Sequence, residues 1–135
     1  MKAVIDENLP LSLAQALNAL AASDGHVVKH ATEIAQRGAK DVDLFAALAQ
    51  GKYELHITQD HHYRKSIERK AIADAGLIVF VLAKSWSSHP FWIKSAQLVR
   101  WWPLMADHAS RMKPPAIFRV PWKIQGQGKF EQLKF

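Results

Sequence analysis

The chain has 135 residues, 49% of them apolar and 22% charged, and it contains no Cys. That size predicts one globular domain whose core needs no disulfide or structural metal, and it excludes a two-domain enzyme, a thiol nucleophile and Cys-ligated zinc. Charge is divided along the chain: residues 1–83 hold 9 Lys/Arg against 10 Asp/Glu, and residues 84–135 hold 9 against 2. The basic half suits either a polyanion such as nucleic acid or a solvated cationic face.

The N-terminus lacks the apolar core of a signal peptide. The longest strongly apolar run, Ala75 to Ala83, falls far short of the roughly 18 residues that span a bilayer. The expectation is a cytoplasmic protein without a membrane segment.

Residues 2–5 are short and apolar and predict a buried strand ending in Asp6, Glu7 and Asn8. Pro10 opens an amphipathic helix in which Leu9, Leu13, Ala16, Leu17 and Leu20 recur at steps of three and four, ending near Ser23, Asp24 and Gly25. His26 to His30 reads as a second strand. After a break at Gly38, Asp41 is placed to cap a helix running through Leu44, Phe45, Leu48 and Ala49 and closed by Gly51. Glu54 to Thr58 is a third strand, terminating in Gln59 and Asp60. The charged stretch 61–74 is helical in part, and Leu77 to Leu82 is a fourth strand. Ser87 to Pro90 starts a helix carrying Phe91, Trp92, Leu98, Trp101 and Trp102, which Pro103 kinks or ends. Ala116 to Val120 is the last strand, and the aperiodic tail from Pro121 is expected to be a flexible arm or poorly packed extension. Strands alternating with helices predict an α/β fold with a mostly parallel sheet covered on both faces.

In such sheets the functional crevice lies beyond the C-terminal ends of the strands. Asp6 and Glu7 end the first strand there and Asp60 ends the third, while Asp41 and Asp43 start the helix leading into the third. Carboxylates gathered in one pocket repel one another and must protonate or recruit a cation. Oxygen ligands suit Mg²⁺ or Mn²⁺, and such a site suits phosphodiester hydrolysis. Each acid also has a plain structural reading. Asp41 is a helix cap and Asp60 a solvated turn residue; Asp6, directly after Ala-Val-Ile in a central strand, resists that explanation.

His61 and His62 beside Asp60 offer a competing transition-metal or acid/base constellation, but adjacent histidines lack the one-face spacing of a His-x-x-x-His pair. No HExxH, CxxC, GxGxxG, P-loop or GxSxG motif is present. The five Trp residues all lie in the basic half, where they either pack in the core, form the interface of a homodimer, or stack on unpaired bases beside Lys84, Lys94, Arg100 and Lys123.

Four separate stretches carry a resemblance: Val-Ile-Asp-Glu-Asn-Leu-Pro at the start, Gly25-His26-Val27-Val28, Arg37-Gly38-Ala39-Lys40-Asp41, and Ile57-Thr58-Gln59-Asp60. Together they resemble a PIN-like domain, most closely the small stand-alone bacterial branch that opens with an LDENLP-type motif and is described as toxin-like or VapC-like. The resemblance spans roughly residues 1–120, leaving 121–135 as a basic C-terminal extension. It implies a three-layer α/β/α sandwich with a mostly parallel sheet of four to five strands and a ribonuclease site using Mg²⁺ or Mn²⁺. Asp6, Asp41 and Asp60 would hold the ion, with Asp43 in the place of a frequent second acid and Glu7 orienting water. Arg37, Arg64 and Lys65 would approach the RNA phosphates, and Asn8, His61 and His62 complete the substrate side. The partners implied are RNA and a cognate antitoxin. The family pattern Thr-x-Asp-x-Asp-Phe here reads Thr58-Gln59-Asp60-His61-His62-Tyr63, so His62 replaces the second carboxylate. With that replacement the site binds one ion weakly, prefers Mn²⁺, or is inactive, and His62 would instead contact phosphate.

The leading expectation is therefore a metal-dependent endoribonuclease, the alternative a catalytically inactive module that binds nucleic acid or a partner. A phosphorelay receiver with Asp60 as phosphoacceptor and Lys84 as charge sensor is disfavoured, because the interval between them holds one crossover where a receiver needs two.

Overall fold

Ala3, Val4 and Ile5 are completely buried, so β1 (Lys2–Ile5) lies inside the sheet and is covered on both faces. The computed structural model describes residues 1–135 apart from the side chain of His62. After β1 come α1 (Leu11–Ala21), β2 (Val27–His30), α2 (Asp41–Gln50), β3 (Leu55–Thr58), α3 (Ser66–Ala75), β4 (Ile78–Leu82), α4 (Phe91–Ser110), β5 (Ala116–Val120) and β6 (Glu131–Leu133). One six-stranded sheet results, in the order β2-β1-β3-β4-β5-β6. Every pairing is parallel except the antiparallel β5–β6 edge.

Alternation along the strands divides the core in two. Ala3, Ile5, Leu55, Ile57 and Phe80 face α1 and α4, packing on Leu13, Leu17, Leu98 and Trp101. Val4, Val79 and Val81 face the opposite layer, where α2 and α3 supply Leu44, Phe45, Leu48 and Ile72. The chain leaves β1 in one direction along the sheet to β2, and leaves β3 in the other to β4 and β5. The switch point lies between β1 and β3, where a crevice opens beyond the strand ends.

Several expectations change in three dimensions. In α1 the buried stripe is Leu13, Ala14, Leu17 and Ala21, while Ala16 and Leu20 form a neighbouring stripe, four residues apart, that faces solvent. Asp41 is the first residue of α2 rather than its cap; Lys40 holds the cap position without a side-chain hydrogen bond. Pro103 does not end α4, which continues to Ser110. An interior Pro costs about 3 kcal/mol, and burial of Trp101, Trp102, Met105, Ala106 and Ala109 around it offsets that loss.

The tail is not a flexible arm: it returns to the sheet as β6, giving six strands where four to five were expected. Its anchors are irregularly spaced, which hid them. Trp122 stacks flat on His89, ring centroids 3.5 Å apart, and Phe130 packs against Phe80 and Trp101. Trp86, Trp101 and Trp102 are core residues, whereas Trp92 is 80% exposed.

Candidate active site at the β1–β3 switch point

The Asp6 amide donates to the Ile57 carbonyl at 2.9 Å, extending the ladder one residue beyond β1, and the Leu9 amide donates to the Asp6 carbonyl at 3.0 Å, closing the turn that follows. These two bonds fix the Asp6 backbone. Strand parity turns its side chain toward the α2/α3 layer together with His56 and Thr58, because Val4 faces that layer and is paired with His56 in the parallel register.

Asp6 is only 4% exposed. Its Oδ2 accepts the Thr58 hydroxyl proton at 3.0 Å, and its Oδ1 lies 3.5 Å from His56 Nε2. His56 is wholly buried, with its ring packed edge-on against Phe45 at 5.4 Å. The Thr58 hydroxyl is fully used: besides donating to Asp6 it accepts from the Asp60 amide at 2.9 Å and from Asn8 Nδ2 at 3.4 Å. One buried hydroxyl thus joins the ends of β1 and β3, reaching Asp6 through its side chain and Asp60 through its backbone.

The rim is polar. Glu7 is exposed and its Oε2 accepts the Gly38 amide at 3.1 Å, which ties the loop before α2 to the end of β1. Gly38 sits at φ +76°, a left-handed conformation that a side chain would strain. Neighbouring Arg37 lines, with Glu7, Asn8, Leu11, His30 and Thr32, a cleft of about 470 Å³. His30 is committed to structure there, with Nε2 donating to the Leu9 carbonyl and Nδ1 paired with the Thr32 hydroxyl, both at 2.7 Å. From the opposite layer Lys94 Nζ donates to Gln59 Oε1 at 3.3 Å, bringing a cation to the rim.

Arg64 and Lys65 are exposed at the entry to α3. His61 is half-buried, its ring edge-on to Tyr63, and burial together with the cations Arg64, Lys84 and Arg119 lowers its pKa, with Asp60 opposing. His61 therefore stands in a cationic field that disfavours its protonation. The expected phosphate contact of His62 falls on a side chain outside the described residues.

Among the described residues, no group of three or more His, Asp or Glu could hold a metal ion. Asp41, half-buried, and Asp43, exposed, open α2 two residues apart, a spacing that points them to different sides of the helix. A preformed all-protein cage is thus absent from the described site. Mg²⁺, however, is commonly bound by one or two carboxylates together with waters and substrate phosphate oxygens. In kind, the Asp6 carboxylate, held by the Thr58 hydroxyl, and the carboxylate of Asp60, whose backbone amide the same hydroxyl holds, are hard oxygen donors of that sort.

From the sequence, His56 and Thr58 were read only as parts of the third strand and its motif, and Lys94 only as one of the cations beside the Trp residues, not as groups of this site. A signal for the first two was present in β3, where Leu55-His56-Ile57-Thr58 places polar groups at a two-residue interval inside an otherwise apolar strand. Nothing local distinguished Lys94, whose role depends on the meeting of α4 with the end of β3.

Comparison with known proteins agrees with this geometry. The family described as PIN like domain matches residues 1–84, the segment from β1 through β4 that contains the Asp6, Thr58 and Asp60 constellation. The chain belongs to the PIN-like domain family, whose fold is of nuclease type. No curated protein and no solved structure matches. None of the protein's helices is long and apolar enough to cross a membrane, as judged over the described residues.

Proposed function

We propose that this chain is an endoribonuclease that hydrolyses RNA phosphodiester bonds over the β1–β3 switch point, using Mg²⁺ or Mn²⁺. The observation that carries this reading is the buried Asp6 carboxylate at the C-terminal end of a central strand, oriented by Thr58 and His56. Such a group is expensive to bury without a task, and the apolar packing on both sides of β1 does not call for it.

Asp6 and Asp60 would hold the ion, with Asp41 and Asp43 approaching from α2. When bound, the ion would polarise the phosphate and lower the pKa of an attacking water. The protein's own groups do the positioning. Thr58 holds Asp6 through one carboxylate oxygen and keeps the Asp60 backbone in place. Asn8 lies against the same hydroxyl, leaving its second amide proton for substrate. Glu7, tied to Gly38, orients water at the rim. Arg37, Arg64 and Lys65 neutralise phosphate charge, which steers a polyanion toward a crevice that is acidic at its floor. RNA is accordingly the principal partner in this reading, and a cognate antitoxin would act by covering the crevice.

The decisive test is calorimetry with Mg²⁺ and with Mn²⁺ on the wild type and on Asp6→Asn, followed by RNA cleavage with whichever ion binds. The expected result is ion binding and cleavage by the wild type and neither by the variant. Cleavage at the wild-type rate by Asp6→Asn would overturn the assignment.

A second reading, a module that binds nucleic acid without turnover, is favoured by His62, which stands where the Thr-x-Asp-x-Asp-Phe pattern has its second carboxylate. It predicts RNA binding with no dependence on either ion and no product.

A further inference from the structure

Trp92 is 80% exposed, although Trp86, Trp101 and Trp102 on the same stretch of chain are buried. Its neighbours Phe91 and Ile93 are 42% and 52% exposed, and the Phe91 and Trp92 rings meet edge to face at 5.4 Å. This aromatic ledge borders a groove of about 510 Å³ between the N-terminal halves of α1 and α4, walled by Leu13, Ala16, Ser95 and Val99. Helices of parallel βαβ units start at the C-terminal edge of the sheet, so the groove opens on the same edge as Asp6. Lys94, two residues from Trp92, reaches Gln59 directly after Thr58 and so links the ledge to the crevice.

We infer that this groove is a subsite for unpaired bases of single-stranded RNA, with Trp92 as the stacking platform and Lys94 pairing the intervening phosphate. The inference rests on the reading of the crevice as a site acting on RNA. Charge complementarity selects the occupant. The α1 wall carries no charged residue, the cation Lys94 stands between ledge and crevice, and residues 84–135 hold 9 Lys/Arg against 2 Asp/Glu. Exposed aromatics interleaved with cations bind single strands without sequence preference, because every base offers a π-face.

The test is fluorescence anisotropy with a short labelled oligouridylate and with a hairpin duplex, in EDTA so that turnover plays no part, on the wild type, Trp92→Ala, Trp92→Leu, Trp92→Phe and Lys94→Ala. Trp92→Ala and Trp92→Leu should each weaken single-strand binding about tenfold with duplex binding unchanged, and Trp92→Phe should retain most of it. Lys94→Ala should reduce the slope of log affinity against log salt by about 1. Equal affinity of the wild type and Trp92→Ala, with circular dichroism unchanged, would overturn the subsite. Full affinity of Trp92→Leu would also do so, since it would show an apolar rather than a stacking contact. A dimer in sedimentation that Trp92→Ala dissociates would make the ledge a contact between copies of this chain and would equally overturn it. Trp92-dependent binding by a protein that never cleaves RNA supports the subsite while removing the nuclease reading, and cleavage with no dependence on Trp92 removes the subsite alone.

Discussion

His56 Nε2 lies 3.5 Å from Asp6 Oδ1, and neither side chain is open to solvent. The imidazole fills the space between the carboxylate and the Phe45 ring, so it supports Asp6 by shape as well as by polarity. Replacing it by Leu removes the polar neighbour of a buried carboxylate, and a loss of about 3 kcal/mol is expected. His56→Gln should lose less than His56→Leu. Urea unfolding measures both; a Leu variant as stable as the wild type would show that His56 does not support Asp6.

Thr58 has a sharper test because Val is nearly its isostere. Thr58→Val leaves the methyl packing and removes the hydroxyl that donates to Asp6 and accepts from Asp60 and Asn8. The expected loss is about 1–3 kcal/mol for the buried groups that lose this partner, with Thr58→Ser close to the wild type. If the site cleaves RNA, Thr58→Val should also lower the rate. Unchanged stability and rate in the Val variant would remove Thr58 from the site's organisation.

The packed tail predicts a difference between two glycines. Gly126 and Gly128 both have positive φ, +60° and +93°, but a Cβ on Gly126 meets open space. On Gly128 it would lie 3.0 Å from Leu104 Cδ1 and 3.1 Å from Trp101 Cζ3. Gly126→Ala should cost about 1–2 kcal/mol from backbone strain, and Gly128→Ala should cost about 1 kcal/mol or more beyond that through crowding. Thermal melting of the two variants checks the order; equal melting temperatures would mean that the tail does not pack on α4 in solution.

Acidification should weaken the fold through His108 and His61. His108 lies between Phe118 and Phe130, each centroid 4.6 Å away, and its Nε2 is buried without a hydrogen-bond partner among the described residues. Burial and the nearby Arg111 lower its pKa, with Asp107 opposing; burial and cations lower that of His61. The unfolded chain therefore binds more protons than the folded one between the folded pKa values and the ordinary value of about 6.5. Stability is complete above that value, falls as pH drops through it, and levels off below the folded pKa values. Melting temperatures across this window should decline on acidification, and less steeply in His108→Gln. A midpoint that rises as pH falls would contradict the assignment.

The sequence by itself determined the alternation of strands and helices, the positions of β1 to β5 within one or two residues, and the placement of Asp6 and Asp60 at strand ends, because these depend on local periodicity and turn residues. The motifs around Asp6, Arg37, Asp41 and Asp60 were also enough to indicate the PIN-like family. Only the tertiary structure decided that His56 and Thr58 belong with Asp6, since that follows from the parallel register of two strands whose paired residues are 52 apart in the chain. It likewise decided that the tail closes the sheet, that α4 runs through Pro103, and that Trp92 alone among the α4 tryptophans faces solvent. Each of these depends on which distant surface a side chain meets, and no window of local sequence contains that information.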